Sequence, residues 1–167
     1  MAKQFDGPPS SGYLLWHVSL RWRVAMDRVL GPLGLTHAQY AVVASLYSME
    51  QSGIRPSQRQ LADYSGLEPM YVSRLARQVE GNGLVERKDN PADPRAVQVT
   101  LTDKGVETVR SALAVVRELE DRYLEPLGGA DSPENLELRR RLQALLEHAD
   151  ALKGAAVPDL QPDSSGD

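Results

Sequence analysis

A single pair of strand-like runs interrupts a chain whose apolar periodicity is otherwise helical. The runs are residues 84–88 and 96–101, and the second alternates apolar with polar side chains. The loop between them contains Pro91 and Pro94, which lack amide hydrogens and therefore cannot extend a ladder of hydrogen bonds. Because a two-stranded ribbon is only marginally stable by itself, it must pack against helices. The sequence therefore predicts a mainly α fold with one small β-hairpin, in the α+β class.

Two short helices separated by a glycine turn precede the hairpin. Ser57 and Gln60 form a capping box that opens the first helix, and Gly66 ends it. Pro69 suits the first turn of the second helix. Four apolar residues of that helix share one face: Val72, Leu75, Ala76 and Val79. Two capped helices followed by a hairpin predict a helix-turn-helix with a wing.

Longer helical patterns flank this segment on both sides. Their apolar residues follow seven-residue repeats over 15–29, 106–116 and 138–152. One small winged domain does not need so many apolar seams for its own core. Association of two chains through these helices is therefore predicted, and packing within a monomer is the alternative.

Five segments are predicted along the 167 residues. The two ends are rich in Gly, Pro, Ser and Asp, which is typical of disorder. The segments are a disordered arm (1–10), a dimerisation helix (11–34), a winged helix-turn-helix lobe that binds DNA (35–101), long helices that complete the dimerisation region (102–153) and a disordered tail (154–167).

The second short helix carries the side chains expected to read DNA. Arg74 and Arg77 offer cations for phosphates or guanine edges, and Ser73 is small enough for base contact. A stiff hairpin tip bearing Arg95 suits a narrow minor groove, where the negative potential is enhanced. An ordinary solvated helix face and turn are the alternatives. The predicted DNA-binding residues are Gln58, Arg59, Met70, Tyr71, Ser73, Arg74, Arg77, Arg87, Lys88 and Arg95.

The distribution of charge favours an anionic partner for the middle of the chain. The net charge is −4, but residues 55–95 hold seven basic against six acidic residues, and the remainder holds twelve against seventeen. Acidic charge is therefore concentrated outside the segment expected to meet DNA.

Composition also narrows the classes of function. There are no cysteines, which excludes a thiol redox switch, and the three histidines lack ligand spacing, so neither a metal nor another cofactor is expected. No cluster of nucleophile, acid and base is visible, so an enzyme is not expected. No apolar run is long enough to span a bilayer and the first residues lack the apolar centre of a signal peptide, which predicts no membrane partner and a cytoplasmic location.

The segment LADYSGLEPMYVSRLARQVEGNGLVERKDNPADPRAVQVTLTDKG resembles the winged-helix segment of the MarR family of bacterial regulators. Residues 35–46, LTHAQYAVVASL, are similar to the preceding helix of that family, so the resemblance covers about residues 11–150. The matching motifs are Leu61-Ala62, Val72-Ser73-Arg74-Leu75, Gly83-Leu84-Val85 with Arg87, Asp93-Pro94-Arg95, and Leu101-Thr102 with Gly105.

The resemblance implies how the protein works. It implies a homodimer on an inverted repeat in double-stranded DNA, with Ser73, Arg74 and Arg77 in the major groove and Arg95 in the minor groove. It also implies a repressor that is released from DNA by a small aromatic or anionic ligand. A winged-helix module that binds protein or shapes DNA without an effector is the alternative.

Side chains on two helices are candidates for holding such a ligand. A cation beside aromatic rings could accept a carboxylate or phenolate. Ordinary core or interface packing is the alternative for the same side chains. The candidates are Trp16, His17, Arg21, His37 and Tyr40.

Overall fold

Six α-helices and one antiparallel hairpin make up the described part of the chain. The computed structural model describes residues 8–90 and 93–152, and it describes side chains over these ranges except at 89, 90 and 93–96. Short 3₁₀ turns follow the first helix at Gly31–Leu33 and the fifth at Glu125–Leu127. The elements are α1 (Ser11–Leu30), α2 (His37–Gln51), α3 (Gln58–Ser65), α4 (Pro69–Gly81), β1 (Val85–Asn90), β2 (Asp93–Leu101), α5 (Asp103–Tyr123) and α6 (Pro133–Leu152).

The predicted mainly α fold with a small β-hairpin is confirmed. The described residues divide after Leu119 into two compact units. Most of the predicted disordered ends, residues 1–7 and 154–167, lie outside the described residues. Ser10, which was assigned to the disordered arm, instead caps α1, because its side chain accepts a hydrogen bond from the amide of Tyr13.

Side-chain caps fix the helix-turn-helix as the sequence predicted. The hydroxyl of Ser57 accepts from the Gln60 amide (3.2 Å), and the Gln60 side chain accepts from the Ser57 amide (2.9 Å). This reciprocal pair satisfies two amides that the first turn of α3 leaves without a helical partner. Gly66 ends α3 with φ of 67°, a left-handed conformation that glycine adopts without steric cost. Pro69 then occupies the first position of α4.

The core of the first unit is built from one face of each helix. The predicted apolar stripe of α4 is entirely buried, and α1 contributes Met26 and Leu30. Asp27 of α1 also helps to cap the start of α2, because its Oδ1 accepts a hydrogen bond from the amide of His37 (2.7 Å). The largest fully buried side chains of this core are Met26, Leu30, Val42, Val43, Leu46, Leu61, Val72, Val79, Val85, Val99 and Val109.

The hairpin is longer than predicted. Regular pairing runs from Val85 opposite Leu101 to Asp89 opposite Val97, and then the register shifts so that Asn90 pairs with Asp93. The shift leaves residues 94–96 of β2 without a regular partner, and a proline is tolerated at such an irregularity because no ladder hydrogen bond is lost. Pro91 lies outside the described residues. The prediction that the prolines end both strands was therefore wrong in extent.

The segment before α3 joins the hairpin, which the sequence did not indicate. Ser57 forms an isolated bridge with Gln98, and the Val99 amide donates to the Pro56 carbonyl (3.1 Å). The Gln98 side chain also donates to the carbonyl of Arg55 (3.1 Å). The hairpin is thus held along one edge by the chain that enters the helix-turn-helix.

In the second unit, the predicted start of α6 is confirmed. The hydroxyl of Ser132 accepts from the amide of Asn135 (3.1 Å), and the Asn135 side chain donates to the carbonyl of Ala130 (2.6 Å). Asn135 is the one fully buried residue that α6 provides, so the rest of this helix exposes its side chains wholly or in part.

The turn after α4 and the start of α5 meet at a close backbone contact. Thr102 donates its amide to the Leu84 carbonyl (3.0 Å) and its hydroxyl to the Gly83 carbonyl (2.7 Å). The same hydroxyl accepts from the amide of Gly105 (3.0 Å). A Cβ added to Gly105 would lie 1.9 Å from the carbonyl oxygen of Leu84, so this position requires glycine.

We predict that Gly105→Ala lowers the free energy of unfolding by about 3 kcal/mol, the upper end of the cost of overpacking a tight site. Urea denaturation followed by circular dichroism measures the change. Gly81→Ala is the matched control, because a Cβ at Gly81 meets nothing within 4 Å. We expect the control to change stability by less than about 1 kcal/mol. Equal effects of the two substitutions would contradict the close contact.

Candidate nucleic-acid interface

The side of α4 that faces away from the core carries a stripe of exposed residues. Met70 is 82% exposed, and Arg74 and Arg77 are also exposed. These three residues are spaced by four and three, so they lie on one face of the helix. Because Val72, Leu75, Ala76 and Val79 anchor the opposite face in the core, the exposed face has a fixed orientation.

Neighbouring groups on α4 restrict the two arginines. Tyr71 is half-buried and packs against the core, and the guanidinium carbon of Arg74 lies 4.9 Å from the centroid of its ring. This cation–π contact orients Arg74 while leaving it exposed. The Nε of Arg77 donates to the carbonyl of Ser73 (3.3 Å), and Ser73 itself is half-buried. Tyr71 and Ser73 therefore support the arginines more than they project from the helix.

The two predicted residues of α3 differ in their environments. Arg59 is exposed and pairs with Asp63 one turn later, with 3.7 Å between Nε and Oδ1. Gln58 is half-buried, and its Nε2 is buried without a hydrogen-bond partner among the described residues. Of the two, Arg59 is the more exposed, and its surface pairing with Asp63 is weak enough to be exchanged for a phosphate.

The basic residues of β1 point to opposite sides of the strand. The guanidinium of Arg87 holds Glu80 of α4, with Nη2 at 2.6 Å and Nε at 2.7 Å from Oε2, and the two side chains are 26% and 34% exposed. Lys88 is 72% exposed and contacts Glu86 of the same strand at 2.6 Å. Arg87 thus faces the helix, whereas Lys88 faces away from it. The side chain of Arg95 lies outside the described side chains.

The hydrogen bond from Arg87 lowers the pKa of the Glu80 carboxyl below its ordinary value of 4.5. The charge of Arg87 acts in the same direction, and partial burial opposes both. A carboxyl whose pKa is depressed in the folded state stabilises the fold above its ordinary pKa. That contribution is lost as the pH falls through the lowered value.

We predict that the difference in unfolding free energy between the wild type and Glu80→Gln is constant from about pH 7 to pH 5 and shrinks below about pH 4.5. The reason is that acid protonates Glu80 in the wild type, whereas glutamine has no such proton to gain. Urea unfolding at a series of pH values measures the difference. A difference that stays constant to about pH 3 would show that the ionised carboxylate contributes nothing.

A groove lies along one face of α1 and contains two of the predicted effector-binding residues. His17 and Arg21 line it, and its volume is about 410 Å³. The other lining residues are Leu20, Val24, Ala25 and Arg28, all on α1. We call this the α1 groove. Its floor is mainly apolar and its charged groups are basic, which suits an apolar ligand that bears an anionic group.

The remaining effector candidates are only partly brought together. Trp16 is 60% exposed and its ring centroid lies 4.8 Å from that of His17, while the ring of Tyr13 lies 4.1 Å from His17. His37 and Tyr40 do not line the α1 groove. His37 uses its backbone amide to contact Asp27, and Tyr40 packs against the core.

Sequence reasoning missed several residues of these sites. Arg28 lies in the groove because it follows His17 by eleven residues, or three turns of helix, a spacing that was readable from the sequence. Glu80 gave a weaker signal, since its pairing with Arg87 depends on how the turn after α4 folds. Within the described residues there is no group of three or more His, Cys, Asp or Glu arranged to hold a metal ion.

The geometry defines a winged helix-turn-helix, and comparison with known proteins agrees. The MarR family pattern matches residues 35–97. The uncharacterized HTH-type transcriptional regulator YdcH of Bacillus subtilis (strain 168) is 34% identical over 146 residues, which are 87% of this chain and 96% of YdcH. The chain therefore belongs to the MarR family. It is a transcriptional regulator with a DNA-binding winged helix, and it is not an enzyme.

Solved structures share the fold. The MepR–DNA complex of S. aureus has a TM-score of 0.75 at 23% identity, covering 84% of this chain and 99% of that one. The transcriptional repressor CouR bound to a 23-mer DNA duplex has a TM-score of 0.65 at 28% identity, covering 86% and 92%. CouR from Rhodococcus jostii RHA1 bound to p-coumaroyl-CoA has a TM-score of 0.62 at 26% identity, covering 90% and 94%. No helix among the described residues is long and apolar enough to cross a membrane.

Proposed function

We propose that this protein is a homodimeric repressor that binds an inverted repeat in double-stranded DNA and is released by a small ligand with aromatic and anionic groups. The observation that carries the proposal is the α4 stripe of Met70, Arg74 and Arg77, which is exposed while the opposite face of the same helix is buried. A helix that enters the major groove needs one anchored face and one free, basic face.

Each exposed residue has a distinct role in this proposal. Arg74 reads a guanine edge, which it can contact with two hydrogen bonds, and Met70 makes an apolar contact such as that with a thymine methyl group. Arg59, Arg77 and Lys88 neutralise phosphates and set the register. The wing reaches the minor groove through Arg95.

Exposed apolar residues on two helices support association with a second copy. On α1 the exposed residues include Leu14, Leu15, Trp16 and Val18, and on α6 they include Leu136, Leu145, Leu146 and Leu152. Apolar side chains in such number are unfavourable in water, so covering them with a partner chain lowers the free energy of the assembly. A twofold dimer would place two recognition helices about one turn of DNA apart, roughly 34–36 Å, which matches an inverted repeat.

The α1 groove supports release by a ligand. It combines apolar residues with His17, Arg21 and Arg28, and exposed rings of Tyr13 and Trp16 lie beside His17. The related repressor CouR has been solved both with DNA and with p-coumaroyl-CoA, a compound with an aromatic ring and anionic groups. The apolar and basic side chains of the α1 groove are the types that a ligand with these two kinds of group would contact.

Selection from a pool of random duplexes separates this proposal from its rival, a winged-helix module that binds protein or shapes DNA without an effector. The proposal expects enrichment of an inverted repeat whose binding weakens steeply with added salt. Absence of any enriched sequence would favour the rival.

We predict that Arg74→Ala weakens binding to the selected duplex by about 1–3 kcal/mol and relaxes selection at one base position in each half-site. Fluorescence anisotropy with duplexes substituted at each position measures both effects. Arg23→Ala, which removes an exposed arginine from α1, is the control for lost charge. A loss that is equal for every sequence would instead assign Arg74 to a phosphate.

We predict that Leu145→Glu, at a position on α6 that is 55% exposed in the single chain, dissociates the dimer. A carboxylate buried in an apolar interface without a partner is strongly unfavourable. Analytical ultracentrifugation should give twice the 18.4 kDa chain mass for the wild type and the chain mass for the variant. Ala144→Glu adds the same charge one position away, outside the predicted seam, and should remain dimeric. A monomeric wild type would contradict the proposal.

A further inference from the structure

The ion pair between Glu80 and Arg87 connects the recognition helix directly to the wing. Glu80 is the penultimate residue of α4, and Arg87 is the third residue of β1. Two nitrogens of Arg87 contact one carboxylate oxygen at 2.6 and 2.7 Å, and both side chains are about two-thirds buried. We call this pair the Glu80–Arg87 clasp. Because charged groups hydrogen-bonded away from water interact more strongly than exposed pairs, the clasp has a defined geometry.

The clasp is the second of two connections between the same elements. The first is the turn after α4, in which the amides of Gly83 and Leu84 donate to the carbonyls of Glu80 (2.8 Å) and Val79 (2.9 Å). The contacts of β2 with residues 55–57 hold the other edge of the hairpin, but the turn alone does not fix the distance between β1 and α4. The clasp, three residues further along β1, adds that restraint.

A small error in this tilt becomes large at the tip of the wing. Each strand residue adds about 3.3 Å of length, and β1 continues beyond Arg87 to Asn90. The tip must enter a groove that is only about 6 Å wide. Control of the angle is therefore needed if α4 and the wing are to contact one duplex together.

We infer that Arg87 is a positioning residue and not a DNA contact, and that the Glu80–Arg87 clasp sets the wing relative to the recognition helix so that both grooves are read at once. The inference rests on the proposed function and refines it. Moving Arg87 to a phosphate would leave the largely buried Glu80 carboxylate without its cation, which is unfavourable. Lys88, on the other side of β1 and 72% exposed, reaches solvent without breaking a link to α4.

The sign of the effect at Glu80 makes the inference testable. Removing an acidic charge near DNA ordinarily strengthens binding, because repulsion of the phosphates is reduced. The inference predicts the opposite for Glu80→Gln: affinity for the selected duplex falls by about tenfold, the low end of the scale of a lost hydrogen bond to a charged group. Glu86→Gln is the matched control, since it removes the same charge from β1, and among the described side chains Glu86 pairs with Lys88 of the same strand and not with α4. We expect the control to bind as tightly as the wild type or more tightly.

Charge reversal tests the clasp itself. In Glu80→Arg with Arg87→Glu the pair is restored with its ends exchanged, so we expect affinity within about threefold of the wild type, while Arg87→Glu alone loses more than about tenfold. An arginine in a narrow minor groove favours A·T over G·C base pairs, so the wild type should show this preference beneath the wing. It should be lost in Glu80→Gln and regained in the reversed pair. Melting temperatures show that each variant is folded.

Arg87→Lys keeps the test decisive if Glu80→Gln does not fold. Lysine retains a charge for a phosphate but cannot present two nitrogens in the planar arrangement of a guanidinium. The inference expects Arg87→Lys to lose the preference beneath the wing, whereas near wild-type behaviour would overturn it. Failure of the reversed pair to recover affinity, or stronger binding by Glu80→Gln, would also overturn it. If the wild type selects no DNA sequence, the proposed function fails, and this inference fails with it; if the wild type does select one, only the clasp is in question.

Discussion

The contact of Gly105 with the Leu84 carbonyl is the constraint on which the DNA-binding unit depends. At this point Thr102, the residue after β2, is hydrogen-bonded both to the turn that joins α4 to β1 and to the start of α5. Lys104 adds a bond to the Asn82 carbonyl at 2.8 Å. A side chain at position 105 would push α5 away from the turn and separate these bonds. Glycine here therefore allows a ribbon that is unstable alone to be fixed at its base.

The backbone contacts at Thr102 fix the lower end of the hairpin, but they do not by themselves determine the direction of the wing. Two further restraints fix the orientation of the wing: the Glu80–Arg87 clasp on the side of α4, and the contacts of β2 with residues 55–57. Glu50 of α2 also accepts from the amide of Leu101 (2.9 Å) at the end of the hairpin. The wing is thus held by α2, α4 and the segment before α3, which are the elements that also hold the recognition helix. Groups prepared in this way lose little entropy when they bind DNA.

Structural features that depend on residues close together in the sequence were predictable. Features that depend on contacts between distant segments of the folded chain were not. The capping box of Ser57 and the stripe from Val72 to Val79 follow from spacings of three and four residues, so the helix-turn-helix was predicted correctly. The extent of the hairpin was not, because a register shift accommodates Pro94. Arg87 was grouped with the DNA contacts because it is basic and lies in the wing. Its neighbour Glu80 becomes visible only when α4 and β1 are placed side by side.

The two kinds of exposed surface on this chain have different energetic consequences. The polar face of α4 is well solvated in the free protein, so its exposure in the absence of DNA does not destabilise the fold. The apolar residues of α1 and α6 are unfavourable in water, so in the proposed dimer their burial would favour association whether or not DNA is present. Dimerisation would then precede DNA binding. A ligand in the α1 groove, which lies on one of these apolar helices, would act on a dimer already formed and would shift its geometry without having to separate its chains.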